Sequence, residues 1–411
     1  MPKVASLKDS PKIKISLFFL GFMNFLSTRF FATLIYVELL AVIALFLVIL
    51  GPPKIDQKRL DPKLRPLFFL GAGWGVQQAI VDLLRATAPR DAIASFAQVF
   101  VLCSLLYFAL TWFQKDAIRI KYFLLGIVFS SIPSYFLEPS IYSKSDPWKF
   151  AFGPNVSLLF FLWISSKHFS SRKKILLITL LSGLDIVLGS RSLGLVTFLV
   201  VPFVLIRKSG RKKVSSLILI ALLVSSFGFI AEKAYKDLSL SGVLGVNQEL
   251  KAQNQINSGP LLLEARKEFL YEIASIRNNW FVGYGSHPNL EIGIATEVYR
   301  YESMLGFNTG TYADIKSSGK IPQHSILFSA WLEGGILGLA FWLYLIYLLF
   351  KWQGRVNPIE GPFGSLSTYL FLNFCWAALF SPLGAGTRMI IAYTVAVIFF
   401  QSAEDTSKVD T

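Results

Sequence analysis

Apolar runs of roughly 18 or more residues recur along this chain, and they limit its fold more than any other feature. Inside a bilayer every backbone polar group must be satisfied internally, so runs of that length predict membrane-spanning helices. Only 16% of the residues are charged, against about 25% in a soluble domain. The expected fold class is therefore all-α: a polytopic membrane protein with about twelve transmembrane helices and one long extracytoplasmic loop containing short amphipathic helices. The spans fall near 15–28, 30–50, 66–83, 92–113, 122–138, 150–166, 175–189, 192–206, 214–231, 325–350, 363–380 and 389–402. They group as an N-terminal membrane bundle (1–231), an outer loop (232–324), and a C-terminal bundle with its tail (325–411).

The stretch 15–50 is too long for one upright helix of about 20 residues, and it is divided near Ser27-Thr28-Arg29. Charge supports the division. With both termini cytoplasmic, the inner segments carry 24 Lys and Arg, several times the number in the short outer loops, as the positive-inside rule requires. A single span over 15–50 would invert every later loop. The net charge of +15 is thus a topology signal, and clusters such as Lys54/Lys58/Arg59/Lys63/Arg65 are not a nucleic-acid patch. The basic N-terminus precedes an apolar stretch without a clean small-residue cleavage site, and is read as retained. Cys103 and Cys375 lie within apolar runs, where they pack; neither a disulfide framework nor a metal cluster is expected. No Asp-rich motif or P-loop is present, so no metal or other cofactor is expected.

The outer loop is nearly neutral, with nine Lys/Arg and ten Asp/Glu. Connections of that length usually carry function. Leu261 to Ile276 reads as an amphipathic helix, with Leu262, Ala265, Phe269, Ile273 and Ile276 on one face. Arg266 falls within that apolar sector; Glu264, Lys267, Glu268 and Tyr271 fall on the other side. Arg266 is either aimed at the protein–lipid seam or snorkels to headgroups. After Asn278-Asn279 comes Trp280-Phe281-Val282-Gly283-Tyr284-Gly285, where two glycines allow tight turning and close ligand approach.

His324 stands immediately before the tenth span, where an imidazole could take a proton from a hydroxyl near neutral pH; the bland alternative is an interfacial helix-start residue. His168 reads as solvated and His287 as a turn residue before Pro288. Glu333 lies about 13 Å deeper than His324 on a regular helix and on its opposite side. It therefore reads as a brace between helices, with Gly334, Gly335 and Gly338 permitting close approach. Arg191, in Gly189-Ser190-Arg191-Ser192-Leu193-Gly194, and Arg388 sit in short outer turns. There a guanidinium fork suits phosphate oxygens or caps a hairpin. Glu38, Asp82 and Asp185 are intramembrane carboxylates whose partners the sequence leaves open.

Three pieces of this chain resemble the O-antigen ligase and O-antigen polymerase family of bacterial membrane glycosyltransferases. They are Ser190-Arg191-Ser192-Leu193-Gly194, Arg266 followed by Gly283-Tyr284-Gly285, and Pro322-Gln323-His324-Ser325 running on to Glu333-Gly334-Gly335-Ile336-Leu337-Gly338. Ser192, Ser325 and Asn279-Trp280 depart from that family's usual glycine, asparagine and proline. The resemblance implies a metal-independent transfer on the periplasmic face of the inner membrane, without a cofactor. The implied donor is a glycan on undecaprenyl diphosphate. The implied acceptor is a sugar hydroxyl on lipid A–core or on another lipid-linked glycan. It implies His324 as the catalytic residue, Arg191, Arg266, Gly283 and Gly285 at the substrate, and Glu333 in support; Arg388 is added to the substrate residues by its place in an outer turn. Membrane lipids are expected partners and nucleic acid is not. A second class is an inorganic-anion transporter of bicarbonate type, with Asp82, Asp185 and Glu38 along its path; such a transporter has no need of the long loop.

Overall fold

The computed structural model describes residues 11–29, 33–50, 62–113, 116–137, 139–167, 169–209, 268–305 and 319–409, together with a few positions between 233 and 253. Arg266, His168 and the expected span 214–231 lie outside the described residues.

The chain is built from helices. In order they are α1 (Pro11–Phe22), α2 (Tyr36–Leu50), α3 (Arg65–Leu84), α4 (Pro89–Trp112), α5 (Ala117–Leu137), the short α6 (Ile141–Ser145), α7 (Gly153–Ser166), α8 (Ser171–Val187), α9 (Arg191–Phe198), α10 (Val200–Ser209), α11 (Phe269–Asn278), α12 (Ile292–Met304), α13 (Ile326–Gln353), α14 (Gly364–Phe380) and α15 (Ala385–Val409). Between α1 and α2 the backbone forms a small antiparallel ladder, Ser27–Arg29 against Thr33–Ile35. The 15–50 stretch is therefore divided where the sequence divides it.

Among the described residues, five helical segments are long and apolar enough to cross a bilayer: Pro62–Leu84, Pro89–Trp112, Ala117–Leu137, Ile326–Gln353 and Ala385–Ser407. They indicate a multi-pass membrane protein. Arg191–Ile206 and Gly364–Phe380 are apolar but shorter. Local chemistry sets several of the starts. Pro opens α3 and α4, where its missing N–H costs nothing. Ser170 and Ser325 cap α8 and α13, their hydroxyls accepting from Lys173 and Phe328 N–H.

Two apolar cores hold the bundle. One joins α2, α4, α5, α7–α10, α14 and α15 around Phe161, Tyr369 and Val397. The other joins α3, α4 and α13–α15 around Trp74, Phe341 and Trp342. Leu83, Leu84, Phe69 and Phe136 project outward and are largely exposed, as side chains facing acyl chains are. A third, smaller core lies between the loop and the bundle, where Tyr271, Ile276, Tyr284, Ile294 and Val298 pack on Leu332. Tyr271 is thus fully buried and not on a polar face. Helix α11 is covered on two sides, by α12 and by the start of α13, so a one-sided apolar stripe understates its burial.

Candidate functional site

The site forms where the outer segment meets a break in α13. The helix runs regularly from its Ser325 cap, then Gly335 adopts φ 57°, ψ −145°. Such a conformation is open to glycine and not to residues bearing a Cβ. The break frees two carbonyls, and the segment 281–285 takes them. Tyr284 N–H donates to Leu332 O (2.7 Å) and Gly285 N–H to Glu333 O (3.0 Å), while Ile336 N–H donates to Phe281 O (2.9 Å). From α3, Gln77 Nε2 donates to the carbonyls of Phe281 (3.1 Å) and Val282 (2.8 Å). Gly283, with φ 84°, lies so close that a Cβ there would stand 2.5 Å from Glu333 O. Gly283-Tyr284-Gly285 and Glu333-Gly334-Gly335, about fifty residues apart in sequence, are therefore one structural unit.

A chain of polar groups runs behind this junction. Asp82 accepts from Ser286 N–H (2.7 Å) and Ser286 Oγ (2.6 Å). Gln78 Nε2 reaches both Ser286 Oγ (3.2 Å) and Glu333 Oε2 (3.0 Å). Glu333 Oε1 accepts from His287 N–H (2.9 Å) and Gln323 Nε2 (2.6 Å). Trp74, Gln78 and Asp82 follow one another at four-residue steps, which sets them on one face of α3. Glu333 thus ties α3, the 286–287 turn and the entry to α13 together.

Next to it is a second buried carboxylate. Glu272 of α11 is fully buried. Its Oε1 accepts from the N–H groups of His324 (2.7 Å) and Ser325 (3.4 Å) and from Ser329 Oγ (3.1 Å). Burial pushes its carboxyl up to about 8; the His324, Ser329 and Ser325 donors oppose that shift and Glu333 adds to it. Arg85 stacks over the Tyr284 ring at 4.5 Å. Burial, reinforced by Glu291, pushes the Tyr284 phenol up despite Arg85. Lys320 Nζ donates to His287 O (2.8 Å).

These elements border a partly open cavity of about 330 Å³, lined by Trp74 and Gln78 of α3, Ser95, Gln98 and Val99 of α4, His287, Ile321 and Gln323, Ile326, Ser329, Ala330 and Glu333 of α13, and Pro382-Leu383-Gly384. Trp74 Nε1 and Gln78 Oε1 are buried and have no hydrogen-bond partner among the described residues. His287 holds a left-handed backbone (φ 46°), so the turn residue expected from the sequence also lines the cavity. His324 is exposed beside it and is not among the lining residues. Its backbone, through Glu272, anchors α11.

The remaining predicted residues lie elsewhere. Arg388 is buried in a two-point ion pair with Glu38, Nε to Oε1 at 2.8 Å and Nη2 to Oε2 at 3.0 Å. It thus occupies the interior between α2 and α15, not an open outer turn. Arg191 opens α9, half-buried, on the hairpin whose Asp185 accepts from Trp148 Nε1 (3.0 Å), Thr197 Oγ1 (3.3 Å) and Ser157 Oγ (3.5 Å). Neither arginine lines the cavity. Sequence reasoning missed Glu272, Gln78 and Trp74. A four-residue polar step in an apolar span would have flagged Gln78 with Asp82. A carboxylate one turn before Ile276 on an amphipathic helix would have flagged Glu272.

Comparison of the chain with protein-family models, with curated proteins and with solved structures finds no match.

Proposed function

We propose that this chain is a glycosyltransferase of the inner membrane, of O-antigen ligase or polymerase type. In this reading it crosses the membrane about twelve times, with cytoplasmic termini and a periplasmic site. It moves a glycan from undecaprenyl diphosphate to a sugar hydroxyl. The observation that carries the reading is the junction of Gly283-Tyr284-Gly285 with Glu333-Gly334-Gly335. Two of the stretches on which the resemblance rests are hydrogen-bonded to each other beside a cavity that Glu333 lines, an arrangement that a coincidental match of short motifs does not require.

The acceptor oxygen attacks the anomeric carbon, the bond from that carbon to the diphosphate oxygen breaks, and the lipid diphosphate leaves. His324 takes the acceptor proton. Arg191 and Arg266 hold the diphosphate, whose charge as leaving group needs fixed cationic partners. Glu272 and Glu333 hold His324 and the 286–287 turn in place through backbone N–H groups. The transport reading is disfavoured because each of its carboxylates is engaged in packing: Glu38 with Arg388, Asp82 with Ser286, Asp185 with Trp148.

The test is complementation of paired strains lacking either the ligase or the polymerase, read as the lipopolysaccharide ladder. His324→Ala and Arg191→Ala are run alongside at matched expression. Rescue in one strain and its loss in both variants is the expected result. Wild-type ladders from both variants would sink the assigned roles, and absence of rescue in either strain counts against the transfer itself.

A further inference from the structure

We infer that the cavity between α3, α4 and α13 is a binding site for an uncharged sugar ring, separate from the site that holds the diphosphate. The inference deepens the transferase reading and rests on it for the origin of the sugar. The lining is the starting point. Gln78, Gln98, Gln323, Ser95 and Ser329 supply amide and hydroxyl groups, and among the described residues no Lys or Arg lines the cavity. A site for a diphosphate needs cationic or convergent N–H donors. A site for a polyol needs neutral groups that donate and accept alike. The cavity's volume lies at the lower end of the ~300–1,000 Å³ usual for small-molecule sites.

The second observation is the pair of orphaned polar atoms. Trp74 and Gln78 are almost wholly buried, and among the described residues Trp74 Nε1 (a donor) and Gln78 Oε1 (an acceptor) lack partners. Leaving such groups unsatisfied costs about 1–3 kcal/mol each. A sugar hydroxyl both donates and accepts, so one class of ligand answers both. The Glu333 carboxylate is already held by Gln78, Gln323 and His287 N–H, which fixes the wall before a ligand arrives and limits the ordering cost of binding.

The sugar belongs either to the acceptor or to the donor's first residue. These sources differ at C1: the acceptor's resembles a methyl glycoside and the donor's a glycosyl phosphate. The experiment is saturation-transfer NMR on the full chain in detergent, with methyl glycosides of glucose, galactose and N-acetylglucosamine, the matching glycosyl 1-phosphates, and inorganic pyrophosphate. Ser95→Leu fills the cavity, and Gln98→Leu removes an amide that lines it. Saturable binding of a methyl glycoside is expected, weakened about tenfold or more by Ser95→Leu, the scale of one or two lost hydrogen bonds to a ligand. Pyrophosphate binding should be unchanged by either variant. Stronger binding of a glycosyl phosphate, with the same sensitivity to Ser95→Leu, assigns the cavity to the donor sugar. No saturable signal from any sugar, or wild-type sugar binding in both variants, overturns the inference. Sugar binding without complementation would remove the transferase reading and leave the cavity assignment standing; complementation without sugar binding would do the reverse.

Discussion

In two regions of this protein buried carboxylates are satisfied in opposite ways. Between α2 and α15, Glu38 meets a full positive charge, the two-point guanidinium of Arg388, and both side chains are at most 2% exposed. Around the cavity, Asp82, Glu272 and Glu333 meet neutral donors: backbone N–H groups, amides and hydroxyls. A charge pair in low dielectric is closed, since breaking it strands an ion. A carboxylate held by neutral dipoles can share donors with a ligand or change protonation without stranding a partner. The first region is a lock between helices, and the second is a polar chamber.

The lock gives the largest expected effect. Arg388→Ala or Glu38→Ala should each destabilise by about 3–5 kcal/mol, because each leaves an unpaired buried charge. Glu38→Leu combined with Arg388→Met should recover most of that loss, read as thermal unfolding in detergent. If the double variant is as unstable as the singles, the pair is not acting as an isolated lock. The chamber should answer differently. Gly335→Ala forces a side chain into a left-handed backbone and places Cβ 2.2 Å from Phe281 O. It should cost about 1–3 kcal/mol in backbone strain and raise hydrogen exchange at Tyr284 and Gly285, whose N–H groups pair with the broken helix. The same change at Gly183, where a Cβ would meet nothing within 4 Å, should shift stability by no more than about 1 kcal/mol. Equal losses at both glycines would mean that the break in α13 does not depend on its conformation.

Much of the bundle was legible because hydropathy and charge asymmetry report directly on helices in lipid. The division near Ser27-Thr28-Arg29 followed from charge counting and appears as a short ladder between α1 and α2. The candidate site was legible only in pieces. Gly283-Tyr284-Gly285 and Glu333-Gly334-Gly335 each stood out, yet their pairing depends on carbonyls freed by a helix break, and periodicity assumes there is none. His287 was read as a turn residue, which its φ of 46° bears out; that the turn also closes a cavity is a tertiary fact with no local signal. Arg388 looked like an outer-surface cation because its partner, Glu38, is 350 residues away.

The smallest effect sharpens the contrast between lock and chamber most directly. Burial raises the Glu272 carboxyl from 4.5 to about 8 in the folded protein, so the folded state keeps a proton that the unfolded state releases. Stability tied to this group is fully present below about pH 4.5 and declines as pH rises toward 8. The slope is at most about 1.4 kcal/mol per pH unit inside that window. His324 and Ser325 N–H and Ser329 Oγ face the carboxylate from α13, and Glu333 is the charged neighbour. Glu272→Gln cannot titrate, so the docking of α11 on α13, followed by hydrogen exchange between pH 5 and 8, should lose most of its pH dependence. The wild type should loosen toward the alkaline end. A wild-type α11 that tightened as pH rose would mean that the neutral donors outweigh burial at Glu272.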